Sequence, residues 1–513
     1  MRLTFLGHAG CFVQTRHGSV LCDPWFNPAY FGSWFPFPRN DGLDPAPFST
    51  PDYLYVSHLH RDHFDPEWLR RHVHKQARVL LPAFGVGILE RELRSLGFTD
   101  FVHTRHGERL ELDGLGVTVL AMTSPADGPL GDSAIALDDG SARILNQNDA
   151  RPGNLDELRA HGPFDAQLLQ FSGAIWFPIA YDFPPEEKER LARNKRADEM
   201  ARARHYVDAV DARHVLPCAG PPCFLDDELF PLNDLDRNPA NIFPDQTVFL
   251  DELAAHGIDR AHLIVPGSAI DLVDGACNVT HPTPDTVLRQ PFTDKRAYLD
   301  QYRDDWSAWL NAERASWSRE PRDLVGELAR WFEPLLVRAP ITSAGIAGNV
   351  VIDVGDTDAN LCIDFVESTV RPWSGEPYVY MINVDRRLVE VLIDDHVEDW
   401  VNSLFLSCRF SAHREGPFNE FVMTFFKALS TERIDYVEQC HQAAHERTDE
   451  FFERDGWRIE RWCPHRQADL TRFAEIEDGV LTCSLHHWRF DLATGDCLTS
   501  DDRHLRCTRV TPE

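Results

Sequence analysis

The sequence predicts a multidomain α/β protein in three parts: a sheet-rich α/β domain over 1–285, a middle domain of mixed helices and strands over 286–435, and a short all-β module over 436–513. Three observations lead there. Through about residue 285, short apolar runs alternate with turns rich in Pro, Gly and Asp. From 286 the apolar spacing lengthens to that of a helix, and strand-like runs then return. Beyond about 454, period-two segments close the chain. A chain of 513 residues also exceeds one ordinary core, since domains usually hold about 100–200 residues.

In order, "RLTFLG", "CFVQT", "SVLCD", "YLYVSH", "RVLLP", "VTVLAM", "ARILNQND", "HVLPCAG" and "AHLIVPG" read as strands. The clearest helix of the first part starts after Pro184–Pro185 and runs through "EEKERLARNKRADEMARARHYVDAV", with carboxylates in the first turn where the helix dipole favours them. Its Arg190, Arg193, Lys195 and Arg196 form a basic face, read as solvated surface, with anion binding as the alternative. In the middle part Tyr298, Tyr302, Trp306, Trp309 and Leu310 recur at helical spacing and predict a core-facing stripe. "NVVIDV", "NLCIDFV", "YVYMINV" and "LVEVLI" follow, then "FNEFVMTFFKAL"; by pattern this part resembles the sterol-carrier type of fold. A charged helical connector, Ile434 to Arg454, leads to "GWRIERW", "GVLTCSL" and "WRFDL".

Composition narrows the function classes. Lys and Arg number 51 against 82 Asp and Glu, a net charge of -31, which argues against nucleic-acid and anionic-membrane partners. The 12 cysteines are scattered singly, without the spacing of a disulfide framework. The start of the chain shows no basic stretch followed by an apolar run, and no apolar run approaches membrane-spanning length. A cytoplasmic protein is expected.

Two motifs carry chemistry. The first is Cys463-x-His465, then seventeen residues, then Cys483-x-x-His486. Two thiolates on one iron and two imidazoles on the other are the ligand set of a Rieske [2Fe-2S] centre. Zinc is the alternative for such a set, but the ligand order and the following "HWRFDLATG" resemble Rieske modules. The extra cysteine pair of high-potential respiratory members is absent, so the resemblance is to the ferredoxin and oxygenase type. His487 is read as structural.

The second motif is "SHLHRDH", where His58, His60, Asp62 and His63 follow a strand and gather ligands for two adjacent metals. With "LGHAG" (His8), "LCDPWF" (Asp23) and "ILNQND" (Asp149) in the same order, it resembles the metallo-β-lactamase fold, an αββα sandwich. The resemblance implies a metal-bridging role for Asp149 and orienting roles for His8 and Asp23. "CDPWFNPAYFGSWFPFP", "VSHLHRDH", "ARILNQNDARPGN" and "LPCAG" further resemble the CMP-N-acetylneuraminate hydroxylase family, which joins such a domain to a Rieske module. There the Rieske module comes first; here it comes last.

The two further histidines usual in lactamase-fold sites are missing from "MTSPADGPLGDSAIAL" and "CAGPPCFLDDELF". Aligning the flanks places Asp127 or Asp132, and Asp226, near those positions, with Cys223 as an outside candidate. Carboxylates beside histidines suit iron in oxygen chemistry; one or two Fe are expected, with Zn or Mn as the alternative. A mononuclear site remains open.

A hydrolytic metal needs no electrons, whereas reductive oxygen activation needs them singly. The expected function is therefore a Rieske-dependent non-haem iron monooxygenase. Electrons from a ferredoxin, cytochrome or flavin reductase would serve insertion of one oxygen atom of O2 into a small molecule or sugar nucleotide, at carbon or nitrogen. The two centres would meet within one chain or across a homodimer. The alternative is a lactonase-like zinc or manganese hydrolase with a redox-sensing Rieske module.

Overall fold

Alternation in the first thirty residues is realised as β1 (Arg2–Gly7), β2 (Gly10–Thr15) and β3 (Gly18–Cys22), three antiparallel neighbours. The structure is a computed structural model and describes residues 1–123, 129–173, 175–234, 237–318, 322–355, 359–443, 449–500 and 503–510. There follow β4 (Tyr53–Tyr55), β5 (Arg78–Leu81), β6 (Phe101–His103), β7 (Arg109–Leu112), β8 (Leu115–Met122), β9 (Asp132–Asp138), β10 (Arg143–Asn148), β11 (Ala166–Gln170), β12 (His214–Cys218), β13 (Ala269–Val273) and β14 (Ala276–Thr280).

One sheet has the order β14-β13-β1-β2-β3-β4-β5-β6, the other β12-β11-β10-β9-β8-β7. Leu3, Val13, Val20, Tyr55, Val117, Ile135, Ile144 and Leu168 fill the space between them with almost no exposure. The helices Pro66–His72 and Ile88–Ser95 cover the outside of the first sheet through Trp68, Leu69, Leu89 and Leu93. Pro185–Val210 and Gln246–Ala255 lie against β11 and β12 of the second. This is the αββα layering expected. Because β3 to β6 are parallel, and β10 to β12 likewise, the loops leaving β3, β4 and β10 can converge at strand C-terminal ends, where open α/β sheets bind ligands.

The aromatic stripe packs as core: Tyr302 and Leu310 are buried against Phe35, Cys223 and Phe230, with Tyr298, Trp306 and Trp309 alongside. The first compact unit accordingly runs through Glu313. The helix Lys295–Ser316 that carries this stripe, beyond the period change at 285, packs its apolar face within that unit.

The second unit is chiefly Arg314–Glu513, with Ala180–Phe183 added. Its first sheet joins β15 (Asn349–Asp353), β16 (Leu361–Asp364), β17 (Thr369–Pro372), β18 (Tyr380–Val384) and β19 (Phe410–Arg414) in the order β17-β16-β15-β18-β19. Tyr181 pairs with Ala412 of β19. Phe332, Trp400, Phe425 and Phe426 bury an aromatic cluster beneath the helices. The C-terminal module holds β20 (Phe451–Arg454), β21 (Trp457–Glu460), β22 (Ala474–Glu477), β23 (Val480–Cys483), β24 (Trp488–Asp491) and β25 (Cys507–Arg509), as the three-stranded sheets β20-β21-β25 and β22-β23-β24. Among the described residues no helix is long and apolar enough to cross a membrane.

Candidate metal centres

Three loops at the strand ends of the sandwich bring the first donor set together. The turn Gly7–Gly10 holds His8 at φ +51°, a left-handed conformation costly for a side chain, and so aims its ring inward. After β4 the chain passes through His58, His60, Asp62 and His63, and Asp65 then caps the next helix by accepting from Trp68 N at 3.0 Å. Asp65 also accepts from Phe26 N and Asn27 N at 3.1 and 2.8 Å, which ties this loop to the one after β3. The third loop follows β10 and carries Asp149.

The donors fall into two groups, His58–His60–Asp149 and His8–Asp62–His63. His8 Nε2 lies 3.0 Å from Asp62 Oδ2. Asp149 Oδ2 lies between the groups, 3.9 Å from His58 Nε2 and 3.5 Å from His63 Nε2. Nε2 of His8, His58 and His63 and Oδ1 of Asp149 are buried and form no hydrogen bond among the described residues. Orphaned buried donors are costly unless a further partner completes them. Separations of this size suit atoms converging on cations at about 2.0–2.2 Å, so the residues fit a metal.

Residues behind the donors set their aim. Asp23 Oδ1 accepts from Ser57 N and Oδ2 from Ser57 Oγ, both at 2.7 Å, and Oδ2 is 3.1 Å from His63 Nδ1. Ser57 Oγ also meets His58 Nδ1 at 3.0 Å. With Nδ1 engaged on both rings, Nε2 is the nitrogen left for metal. Tyr30 donates to Asp62 Oδ1 at 2.6 Å and accepts from Arg61 N at 3.0 Å. Burial raises the carboxyl pKa values of Asp62 and Asp149, but the surrounding imidazoles overrule it and hold both well below the usual carboxylate range. Burial keeps His58 neutral, the state a ligand needs. At His63 burial acts the same way but Asp149, Asp23 and Asp62 prevail and raise its pKa.

Not every expected residue joins. Asp127 lies outside the described residues. Asp132 stands behind His58, with Oδ1 3.4 Å from Nδ1, on the edge opposite Nε2. Asp226 is in neither of these two groups. Its Oδ1 accepts from Glu228 N at 3.1 Å and its carbonyl from Leu229 N and Phe230 N, so it caps a turn. Cys223 is packed with Phe35, and burial pushes its thiol far up. His8, read as an orienter, places its Nε2 among the atoms of the second group that could hold a metal. Ser57 and Tyr30 were missed; both stand inside quoted segments, but neither residue type signals metal binding by itself.

In the C-terminal module, two loops face each other. Gln467 N donates to Cys463 O and Cys463 N to Ala468 O, both at 2.9 Å; His487 N donates to Cys483 O at 2.6 Å. Gln467 and His487 take φ of +54° and +60°, so each loop reverses just after its ligand pair. The His487 backbone thereby closes the second of these turns. Both thiols are fully buried and interact directly, which pushes Cys463 up and Cys483 down. The rings of His465 and His486 lie 5.0 Å apart at 86°, and His465 stacks on Trp488 at 3.9 Å. His465 Nδ1 is buried without a hydrogen-bond partner among the described residues. Two adjacent buried thiols and a buried nitrogen lone pair fit an iron–sulfur cluster.

Comparison with known proteins agrees. Residues 455–508 match the Rieske [2Fe-2S] domain, 324–443 the Rv3818-like, SCP2-like domain, and 2–130 the Beta-lactamase superfamily domain. The Rieske 2Fe-2S iron–sulfur protein Rv3818 of Mycobacterium tuberculosis is 45% identical over 99% of this chain and 100% of its own length. This chain belongs to the Rv3818-like Rieske proteins. A Mycolicibacterium smegmatis relative of this family is 44% identical over 99% of the chain and 100% of its own. Among solved structures, CmlA, a diiron β-hydroxylase from Streptomyces venezuelae, is 23% identical over 52% of this chain and 53% of its own, at TM-score 0.35. Igni18, a metallo hydrolase from Ignicoccus hospitalis, is 16% identical over 55% of this chain and 99% of its own, also at 0.35. As an Rv3818-like protein the chain carries a Rieske [2Fe-2S] cluster and is a Rieske-linked metalloenzyme, with the lactamase-type and sterol-carrier-type domains read from the sequence.

Proposed function

We propose that this chain is a Rieske-dependent non-haem iron monooxygenase that oxygenates a small-molecule or sugar-nucleotide substrate at carbon or nitrogen. The observation that carries the reading is a histidine–carboxylate donor set on the same chain as an electron-transfer module. A hydrolase would leave that module idle. When bound, iron supplies O2 activation and the cluster supplies electrons one at a time. His58, His60 and Asp149 would hold one iron and His8, Asp62 and His63 a second, with Cys463, His465, Cys483 and His486 on the cluster.

The chain's own residues do the rest. Asp23 and Ser57 fix the tautomers of His58 and His63. Tyr30 keeps the Asp62 carboxylate pointed and screens it from water, since both are buried. The basic helix offers less to an anionic substrate than its sequence suggests: Arg190 is paired with Glu187, Lys195 with Glu199, and Arg196 donates to Pro239 and Asn241 carbonyls. The electron donor would be a ferredoxin, cytochrome or flavin reductase, in the cytoplasm.

The test is metal and sulfide analysis of anaerobically purified protein, with electron paramagnetic resonance after dithionite. Iron above the two atoms of the cluster, together with reductant-dependent O2 consumption, is expected. Zinc in the first unit, with hydrolysis independent of reductant, would replace this reading by a hydrolase whose Rieske module senses redox state.

A further inference from the structure

The His465 ring is held on two sides by groups that belong to different domains of the second unit. Within the Rieske module Trp488 stacks on its face at 3.9 Å and 9°. From the sterol-carrier-type domain, Glu420 reaches its outer edge: Oε1 lies 3.0 Å from His465 Nε2. Glu420 opens the helix Glu420–Phe426, capped by Asn419, and its side chain is 9% exposed. A carboxylate so deeply buried needs compensation. Its other oxygen accepts from Arg503 Nη2 at 2.9 Å, so imidazole and guanidinium of the Rieske module grip one carboxylate of the middle domain. The surroundings repeat this docking: Phe418 pairs with Ser500 as an isolated β-bridge, and the Arg503 guanidinium lies over the Phe421 ring.

The electronic consequence follows from hydrogen-bond direction. A carboxylate only accepts, so Nε2 carries the hydrogen, and the lone pair is left on Nδ1, the buried nitrogen with no partner among the described residues. An imidazole that donates to a carboxylate is a more electron-rich ligand and is locked in orientation. Negative charge beside a cluster also favours its oxidised form, and such contacts are among the levers that set iron–sulfur potentials.

We propose that Glu420 is a positioning residue of the Rieske centre: the middle domain orients His465 through it and holds the cluster's reduction potential down. The electron-transfer centre is then shared between two domains. This inference does not depend on whether the first unit oxygenates or hydrolyses.

The experiment is redox titration at one fixed pH, followed by electron paramagnetic resonance, on full-length protein with its cluster loaded, comparing wild type with Glu420→Gln and Glu420→Ala. Glu420→Gln keeps shape and an acceptor but loses the charge. Its reduction equilibrium is expected to shift at least about tenfold toward the reduced form, about 59 mV for one electron, with g-values almost unchanged. Glu420→Ala should shift it further and broaden or move the g-values as the ring is released. Unchanged potentials in both loaded variants would overturn the proposal. Should Glu420→Ala fail to load, Glu420→Gln alone decides: a wild-type potential there refutes the role, a raised one supports it.

Discussion

The two metal centres are built in opposite ways. The Rieske donors lie on two short loops of one small module, between Cys463 and His486, and each loop reverses right after its ligand pair. The donors of the sandwich come from three loops between His8 and Asp149, and only the fold unites them. The compact centre can be recognised from spacing, whereas the dispersed one needs the sheets to be built first.

Mutations can break this comparison at either end. Cys463→Ser should have the largest effect: complete loss of the cluster's paramagnetic signal and labile sulfide, with metal content of the first unit retained, as measured by elemental analysis. His8→Ala comes next. If His8 donates directly to metal, the loss of affinity should exceed the roughly 10–100-fold typical of removing a group behind a ligand, and should match His63→Ala in competition with a chelator. Asp23→Asn, which disturbs only the aim of His63 and Ser57, should stay within about 10–100-fold in the same assay. A His8→Ala loss no greater than that of Asp23→Asn would return His8 to an orienting role.

Tyr30→Phe removes the hydrogen bond to buried Asp62 and should destabilise the metal-free protein by about 1–3 kcal/mol in urea unfolding. An ordinary ion pair sets the lower end of the scale. His106 and Glu157 meet at 2.9 Å near the surface of the sandwich, each partly exposed. The hydrogen bond with Glu157 raises the His106 pKa, so its contribution is full below about 6.5 and lost as pH rises through the raised value. The hydrogen bond with His106 lowers that of Glu157, whose contribution is present above about 4.3 and lost as pH falls through the lowered value. His106→Ala should therefore cost most near pH 5–6 and less near pH 9, where the loss of the hydrogen bond from Ala121 N to His106 Nδ1 remains. Because the pair is half in solvent, the cost should stay below about 1 kcal/mol.

Much of the architecture was legible because strands and their turns are local. Period and order give a sheet-rich α/β part, a mixed middle part and a short all-β module, while the αββα layering and the sterol-carrier and Rieske types come from the resemblances that their segments carry. The helix of Tyr298 and Trp306 illustrates the limit: its period announces a buried face, but which core it faces depends on Phe35 and Cys223, far away in sequence. Alignment of flanks puts Asp226 near a missing histidine, and in the fold its Oδ1 accepts from Glu228 N. His8 is legible as a site residue, but the left-handed backbone that sets its ring beside Asp62 is advertised by no residue type at that position. Glu420 carried no signal, since its partner lies in the next domain.

The dispersed arrangement has a mechanical side. His8 and the His58–His63 loop extend from one sheet of the sandwich, and Asp149 from the other. Cations gripped by these residues would act as rivets through both layers, joining segments far apart in the chain. Their binding energy would then resist parting of the sheets, by about 2.7 kcal/mol at a hundredfold excess over Kd. Stripping the metals should leave a sandwich that melts at lower temperature and whose three loops exchange their amide hydrogens first.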